Sequence, residues 1–591
     1  MDNSSLQNDL RSCFELYGSL KEQVLEKCEQ MCNLYNLTAE DLANEWGAYS
    51  ASNLASAVPT LAALEGMERK EFAKRSEEFA SIKPSVQTPT STKSQSRLDE
   101  SIQNSPSVGI YSTPKRSNAK RLRSPERNSL LKEDLHLSNQ IASSPVLHSE
   151  TYDFSQRTNS GKVEVSYGIQ TLLMNATFKR KPADSSNDVQ IKIYSNGETE
   201  AISPDVLYMF NVSHSKASCL SLKVDCIGKY LLRKFSLGEP HSYGKASGLI
   251  TTYGQICSDF VDKLDPSAIL LEGSHELTHG NSVQLNLSKL SNYAVFPGQV
   301  VAVQGFNPHG NSFIAQKLFT DASGSGATQS IIPTFTGSLH IVVAVGPFTV
   351  SSNLSYAPLQ ELVKYVTNHI PHVLILIGPF VDASQENVAD ITMMELYDTF
   401  FEALIQNVMS PLEGLNIKVV LVPSAKDAHH HVVFPTPPYK LRKTYPNLQC
   451  VGDPSILNIE GLTLGATSTD ILLHLSKQEC SYGTQGGDRI SRLASHLLCQ
   501  QSFYPLYPPN EDVFIDYELL EQHAGINFIP NILIVPSSLR YFIKYINGCV
   551  VINPERITKG YVGGTFCRME VAPQVSSGSL SDSVVAQIIR I

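Results

Sequence analysis

The residues of this 591-residue chain best placed to do chemistry stand just past four apolar runs. "VAVGPFT" presents Pro347 and Thr349, "VLILIGPFVDA" presents Pro379 and Asp382, "VVLVPSAKDAHHH" presents Lys426 and Asp427, and "ILIVPSSL" presents Ser537 and Leu539. Uninterrupted apolar runs that end on Gly-Pro or Pro-Ser read as buried parallel strands. In open α/β sheets, ligands sit in the crevice outside the carboxyl ends of such strands. A two-metal hydrolase would need carboxylates, amides and imidazoles there, because two ions about 3.5–4 Å apart must activate water and clamp both oxygens of a displacement. Proline offers no side-chain donor, and a lysine ammonium repels a cation. Only Asp382 and Asp427 keep a ligand atom. The expectation is a strand-end crevice that has kept its turns and lost its metals, with no catalytic residue, no metal and no cofactor.

Other chemistries find weaker footing. His429, His430 and His431 are consecutive on one loop and cannot all point at one ion, and "HVVFPTPPY" after them reads as a rigid surface loop. The glycine-rich stretch Gly238 to Gly244-Lys245-Ala246 has five residues between its glycines and lacks the Ser/Thr that would hold magnesium in a phosphate loop. No Gly-x-Ser-x-Gly elbow occurs. Cys28 and Cys32 are one helical turn apart but have no third ligand nearby, so they read as core packing. The eleven cysteines, an odd number without a CxxC pair, read as reduced thiols. A net charge of −10 does not suit a protein that grips nucleic acid through bulk charge. No run reaches the 18 or so apolar residues of a membrane span, and "MDNSSLQNDLRSCFELYG" has no signal-peptide core, so a soluble intracellular protein is expected.

The elements that must position these residues fall into four segments. Residues 1–80 carry two capping-box patterns, Ser19-x-x-Glu22 and Thr38-x-x-Asp41, before apolar-periodic runs, and a third candidate helix after Pro59. With 7 basic and 14 acidic residues this is an acidic helical protein-docking module. Residues 81–160 are Ser/Pro-rich: positions 81–150 hold sixteen serines and one aromatic, Tyr111, too little apolar surface to offset chain entropy. A disordered linker is expected. Its Ser/Thr-Pro steps, at Thr88, Ser105, Thr113, Ser124 and Ser144, are candidate phosphorylation sites, and "TPKR" and "SPER" add the basic residue of a proline-directed kinase site. Between them Lys115, Arg116, Lys120, Arg121 and Arg123 form a candidate nuclear-import signal, so the nucleus is the expected compartment.

Residues 161–322 hold five short β-type runs separated by turn residues, which fits a small Greek-key barrel of the OB type, with a helix near Ser215 to Phe235 packing on it. Basic and acidic residues nearly balance there, which suits a partner-binding barrel better than an autonomous DNA binder. Residues 323–591 alternate buried strands with helices, an α/β layered domain in which acids outnumber bases.

The strand-end crevice is to be compared with calcineurin-type phosphoesterases, whose ligands stand at such positions. The order of parts, with the strings "FPGQVV" from Phe296, "GPFVDA" from Gly378, "SFYPLYPPNEDVFIDYE" from Ser502, "PSSLRYF" from Pro536, and "NPERITKG" with "GGTF" between Asn553 and Phe566, resembles the B-subunit family of DNA polymerase alpha. The resemblance implies an OB domain and an inactive calcineurin-like domain. It also implies a non-catalytic scaffold that binds the zinc-containing C-terminal domain of the polymerase alpha catalytic subunit, touches primase indirectly, and reaches other replication proteins through its N-terminal module. The complex would make RNA–DNA primers, with any DNA contact by this chain weak or indirect and no membrane involved. Two readings from other classes stand beside it: an active phosphoesterase or exonuclease that kept its ligands, and a single-stranded DNA-binding protein with a basic, aromatic-lined barrel groove.

Overall fold

The computed structural model describes residues 10, 14, 22–35, 39, 42, 46, 59–67, 154–180, 189–194, 201–258, 263–324, 335, 337–351, 353–385, 396–484, 488–573 and 580–591. The chain forms two compact units, Met1–Leu122 and Arg123–Ile591. The five candidate phosphorylation sites and the five import residues lie outside the described residues.

In the first unit, α1 (Glu22–Tyr35) buries Val24, Leu25, Cys28, Met31 and Cys32, the i, i+4, i+7, i+8 stripe that a 3.6-residue period puts on one face. They share a core with Phe14, Leu42, Trp46 and, from α2 (Leu61–Met67), Leu64 and Met67. Cys28 and Cys32 are thus core residues, and burial, with Cys32 alongside, pushes the Cys28 thiol up to about 12.

The second unit contains two sheets and a barrel. The first sheet has seven strands. Its centre is parallel: β9 (Leu339–Val345), β10 (Val373–Ile377), β11 (Lys418–Val422) and β12 (Leu448–Cys450), with Val373 level with both Ile341 and Lys418. Antiparallel strands β21 (Thr565–Val571), β22 (Val584–Arg590) and β1 (Val163–Tyr167) extend the β9 side. A short ribbon of β19 (Thr558–Lys559) and β20 (Val562–Gly563) precedes β21. The second sheet runs β17 (Phe542–Ile546), β18 (Cys549–Asn553), β16 (Ile532–Ile534), β14 (Leu462–Ala466), β13 (Ser455–Ile459) and β2 (Ile191–Ile193). Every residue of β9, β10, β14, β16 and β18 is buried, as a strand covered on both faces requires. Alternate residues explain how. Ile341, Val343, Ile375 and Ile377 meet Leu464, Ile532, Ile534 and Val550 in a core between the sheets. Val342, Ala344, Leu374 and Leu376 face α4 (Ala357–His369) and α5 (Tyr397–Met409). On the far side of the second sheet lie α6 (Ile471–Gln478), α7 (Arg489–Cys499) and α8 (Tyr517–His523). The order is helices, sheet, sheet, helices.

Five strands close the barrel in the order β3 (Ala246–Ser258), β4 (Ile269–Glu272), β5 (Ser282–Asn286), β8 (Ser312–Phe319) and β7 (Val300–Asn307). The helix expected on it is α3 (Ser213–Lys234), which packs Val224, Ile227 and Leu231 against Tyr253, Val300 and Ala302.

Two boundaries and one loop differ from expectation. β1 and β2 do not belong to the barrel segment, since they are edge strands of the two α/β sheets. The packed body also takes in Phe154, inside the expected linker: it is buried in the core of the first sheet, and the Arg157 guanidinium donates to the Ile591 carbonyl at 2.9 Å. Of the "HVVFPTPPY" stretch, residues 433–439 are all buried and only His431 and Val432 are exposed, so it is not a surface loop.

Candidate functional site

The strand ends expected to carry chemistry lie side by side, locked by backbone bonds. Gly346 N–H donates to the Ile377 carbonyl at 2.8 Å, and Gly378 N–H donates to the Val422 carbonyl at 2.9 Å. A β-carbon on Gly346 would stand 1.9 Å from the Pro379 carbonyl oxygen, so only glycine allows the two Gly-Pro turns to approach this closely. The residues after the prolines turn inward. Phe348 and Phe380 are fully buried and stack at 4.8 Å, with Tyr439 and Phe401 packed edge-on to Phe380. Aromatic rings fill the crevice.

Asp427 is almost wholly buried, and both of its oxygens are engaged by the protein. One accepts the Phe380 and Val381 N–H groups at 2.6 and 2.8 Å, and the other accepts the Tyr439 hydroxyl. Burial pushes its pKa up to about 7, while the Tyr439 hydroxyl and the Val381 and Phe380 amides act in the opposite direction. Asp382 pairs with Asp427 through a backbone bridge, and its carboxylate accepts the Ser384 N–H and hydroxyl at 2.9 and 2.6 Å. Lys426 points outward, its ammonium 3.9 Å from Asp512. The Pro347 and Thr349 carbonyls accept the Thr558 hydroxyl, and the Thr349 hydroxyl itself donates to the Asn353 carbonyl at 2.8 Å. Pro347, Thr349, Pro379, Asp382, Lys426 and Asp427 are therefore gathered along one edge of the first sheet.

Ser537 and Leu539 belong to the second sheet's loop after β16. Ser537 N–H donates to the Asn553 side-chain oxygen at 2.9 Å, and Leu539 is buried in the helix-covered core. The three histidines diverge: His429 lies between Phe401 and Tyr439, His430 reaches the Pro437 carbonyl at 2.7 Å, and His431 bonds Tyr208 at 2.7 Å. Burial lowers the pKa of all three. Among the described residues no group of three or more His, Cys, Asp or Glu side chains converges so as to hold a metal ion.

Sequence reasoning missed two buried carboxylates in this region. Asp453 is fully buried, accepts the Ser468 N–H and hydroxyl at 3.0 and 2.5 Å, and is raised by burial to about 6. Asp470 caps α6 through Leu473 N–H and accepts the Ser538 N–H at 2.6 Å. A signal for Asp453 existed. Gly452-Asp453 follows "CV" at the end of β12, a Gly-Asp at a parallel strand end, but the strand is three residues long and shows no apolar run.

The Asp427 and Asp382 carboxylates are occupied by amides and hydroxyls that fasten the turns together, whereas neither buried ring nitrogen of His429 has a hydrogen-bond partner among the described residues.

Residues 341–544 match the family of B subunits of DNA polymerases alpha and epsilon, residues 217–321 match the OB domain of the DNA polymerase alpha B subunit, and residues 8–74 match the N-terminal region of that same B subunit. The closed barrel β3–β8 lies inside the OB match, which identifies it as an OB domain. The chain is 31% identical to the DNA polymerase alpha B subunit of Mus musculus, over 98% of each chain. It is 32% identical to that of Drosophila melanogaster, over 99% of this chain and all of the relative. With the Saccharomyces cerevisiae protein it shares 27% identity over 54% of this chain.

Proposed function

The chain belongs to the B-subunit family of DNA polymerase alpha, and from that premise we propose that it is a non-catalytic scaffold whose α/β domain is a phosphoesterase fold without its metals. It is an accessory subunit of DNA polymerase alpha, a protein of DNA replication. In our reading its body from about residue 154 to 591 binds the C-terminal domain of the catalytic subunit and supports primer synthesis in the nucleus. Residues 1–80 would dock other replication proteins, and the Ser/Pro-rich linker would carry the import signal and its phosphorylation control.

One observation carries the non-catalytic reading. At the strand end where a bridging carboxylate would bind metal, Pro379 has no donor, and the nearest acid, Asp427, has both oxygens taken by Phe380, Val381 and Tyr439. A metal would have to break three hydrogen bonds to a buried carboxylate. The barrel supports the protein-binding reading too. On β4 and β5 the outward residues are Leu270, Glu272, Ser282, Gln284 and Asn286, with no ring to stack a base and no cation to meet a phosphate.

The test is a hydrolysis assay on the purified chain with manganese or magnesium, using a nitrophenyl phosphodiester and single-stranded DNA. The expected outcome is no turnover above the buffer blank. Metal-dependent turnover that disappears in a folded Asp382→Ala or Asp427→Ala variant would return the chain to the active phosphoesterases. Co-expression with the catalytic subunit tests the scaffold role: the two should co-purify through high salt, because a large, partly apolar contact survives screening that strips exposed ion pairs.

A further inference from the structure

Between α4 and α5, on the helix-covered face of the first sheet, lies an open cleft of about 410 Å³. Leu359 and Val363 of α4 form one wall, and Phe400, Leu404 and Val408 of α5 form the other. Each set recurs every four residues, so two apolar helical stripes face each other across the opening. Leu362, Val366, Phe401 and Ile405 of the same helices are buried in the core. The cleft is therefore apolar surface beyond what packing on the sheet requires. Lys364 is the one charged residue among the described residues that line it.

Beside this cleft the chain enters the body. Phe154 is buried in the same core, and the Arg157 guanidinium, 3.9 Å from the Phe154 ring centre, reaches the Glu361 carboxylate of α4 at 3.5 Å. Glu361 also accepts the Lys364 ammonium at 2.7 Å. A run of contacts, Phe154 to Arg157 to Glu361 to Lys364, thus leads from the entry point to the rim of the cleft. A helix with its side chains is about 10–12 Å across, a distance that about four extended residues cover at roughly 3.3 Å each. The stretch just before Phe154 is "SPVLHSETYD", Ser144 to Asp153, and its apolar side chains are Val146, Leu147 and Tyr152. Leu147, seven residues before Phe154, is within reach of the far side of α4. Pro145 biases Ser144 to extended backbone, so the segment meets the body as a strand-like ribbon. It holds two acids, Glu150 and Asp153, and no Lys or Arg stands between Lys132 and Arg157. That composition matches an apolar cleft with one cation at its rim.

We propose that residues 144–152 dock onto their own body, with Val146 and Leu147 seated in the cleft between α4 and α5 and Glu150 toward Lys364. Connectivity selects this occupant. A segment tethered a few residues from the anchored Phe154 has an effective concentration in the millimolar range. A second copy, or another chain offering the same side chains, must match that concentration to displace it. Docking takes residues 144–153 out of the tether between the body and the N-terminal module, and fixes the face of the body from which the tether leaves. It also holds Ser144-Pro145, one of the candidate phosphorylation sites, against α4 and α5, where a kinase that needs a free extended substrate reaches it less readily than it reaches Thr88 or Ser105.

The test uses the full chain. A photocrosslinking phenylalanine analogue is placed at position 147, and the crosslinked peptides are mapped by mass spectrometry. Crosslinks within one chain to Ala357–His369 and Tyr397–Met409 are expected. Crosslinks that join two copies, or that fall elsewhere on the body or on residues 1–80, overturn the proposal. A second measurement needs no analogue: brief chymotrypsin digestion, with cleavage after Leu147 compared with that of a synthetic peptide of the same sequence. Docking should slow cleavage in the chain by about tenfold or more, as a segment cut only when it opens requires. Ala403→Asp puts a carboxylate into the cleft from an exposed position on α5 and should remove that protection. Where Ala403→Asp lowers the melting temperature, Val146→Asp, which leaves the body untouched, takes its place against its own matched peptide. Cleavage of the parent as fast as the peptide overturns the proposal, and so does protection that survives the substitution.

Discussion

Asp427 shows how a side chain suited to catalysis serves structure instead. Its carboxylate joins the turn after β10 to the loop after β11, and Tyr439 closes the arrangement from the far side. Asp427→Ala leaves two buried amides and a phenol without their acceptor, and should cost about 2–4 kcal/mol in urea unfolding. Asparagine separates charge from shape. Burial has raised the folded-state pKa to about 7, above the unfolded carboxylate's value of about 3.9. The folded chain therefore holds the proton more tightly than the unfolded chain does. The associated stabilisation is fully present below about pH 4 and is lost as pH rises through 7. Asp427→Asn mimics the protonated acid, so its stability relative to the parent should improve between pH 5 and pH 8. An Asn variant that instead falls further behind the parent at pH 8 would show that the three donors keep the carboxylate charged in the fold.

Element by element, legibility followed length and burial. The runs "HIVVAV", "VLILI", "KVVLV" and "CVVIN" were readable because a strand covered on both faces must be apolar at every position, and the five barrel runs because Gly, Asn and Pro bracket them. The edge strands were not. β1 reads "VEVSY" and β2 "IKI", short and half-polar, and their partners are about 420 and 265 residues away in the chain: Val163 pairs with Ile589, and Ile193 with Leu457. Nothing local says which sheet such a segment joins, so position in the chain assigned them to the barrel. The buried "VFPTPPY" loop, residues 433–439, misled for a related reason. Its prolines signal a turn, and only the tertiary packing of Phe401 and His429 shows that the turn faces inward. The site was half legible: the missing donors could be read from residue types, whereas the use of Asp427, Asp453 and Asp470 as acceptors depends on amides brought in by other strands. The edge strands also govern how fragments behave. A chain starting at residue 154 keeps both edge strands and the Arg157 contact to Ile591, whereas one starting at residue 201 uncovers β22 and β13. The shorter fragment should melt at lower temperature and elute partly as aggregate in size-exclusion chromatography, since an unpaired sheet edge is a template for further pairing.

At the scale of the whole body, two of the strings that carry the family resemblance turn out to be joints. "FPGQVV" leads into β7 of the barrel, and "SFYPLYPP" follows α7 of the α/β domain. The two meet where Gly298, at φ +94°, lets Tyr507 N–H reach the Pro297 carbonyl at 3.1 Å, and a β-carbon on Gly298 would lie 2.3 Å from that nitrogen. Beside them Gln500, fully buried, acts as a clamp. Its oxygen accepts the Val300 N–H at 2.7 Å, and its amide group donates to the Val300 and Thr320 carbonyls at 3.1 and 3.2 Å. A small ribbon of β6 (Tyr293–Val295) and β15 (Cys480–Tyr482) pairs the domains a second time. These contacts predict that barrel and α/β domain unfold together. Trp46, the chain's one tryptophan, is buried in the N-terminal unit, so its fluorescence reports that unit's melting alone and separates it from the rest. Calorimetry of the parent should then show one further transition for residues 154–591. Gln500→Leu strands the buried Val300 amide and two carbonyls, at a cost of about 2–3 kcal/mol. Combined with Gly298→Ala, which forces a side chain into left-handed backbone against Tyr507, it should split that transition in two, with the barrel melting first. A single undivided transition in the double variant would mean that the β6–β15 ribbon and the packing of α3 against α8 are enough to hold the body as one.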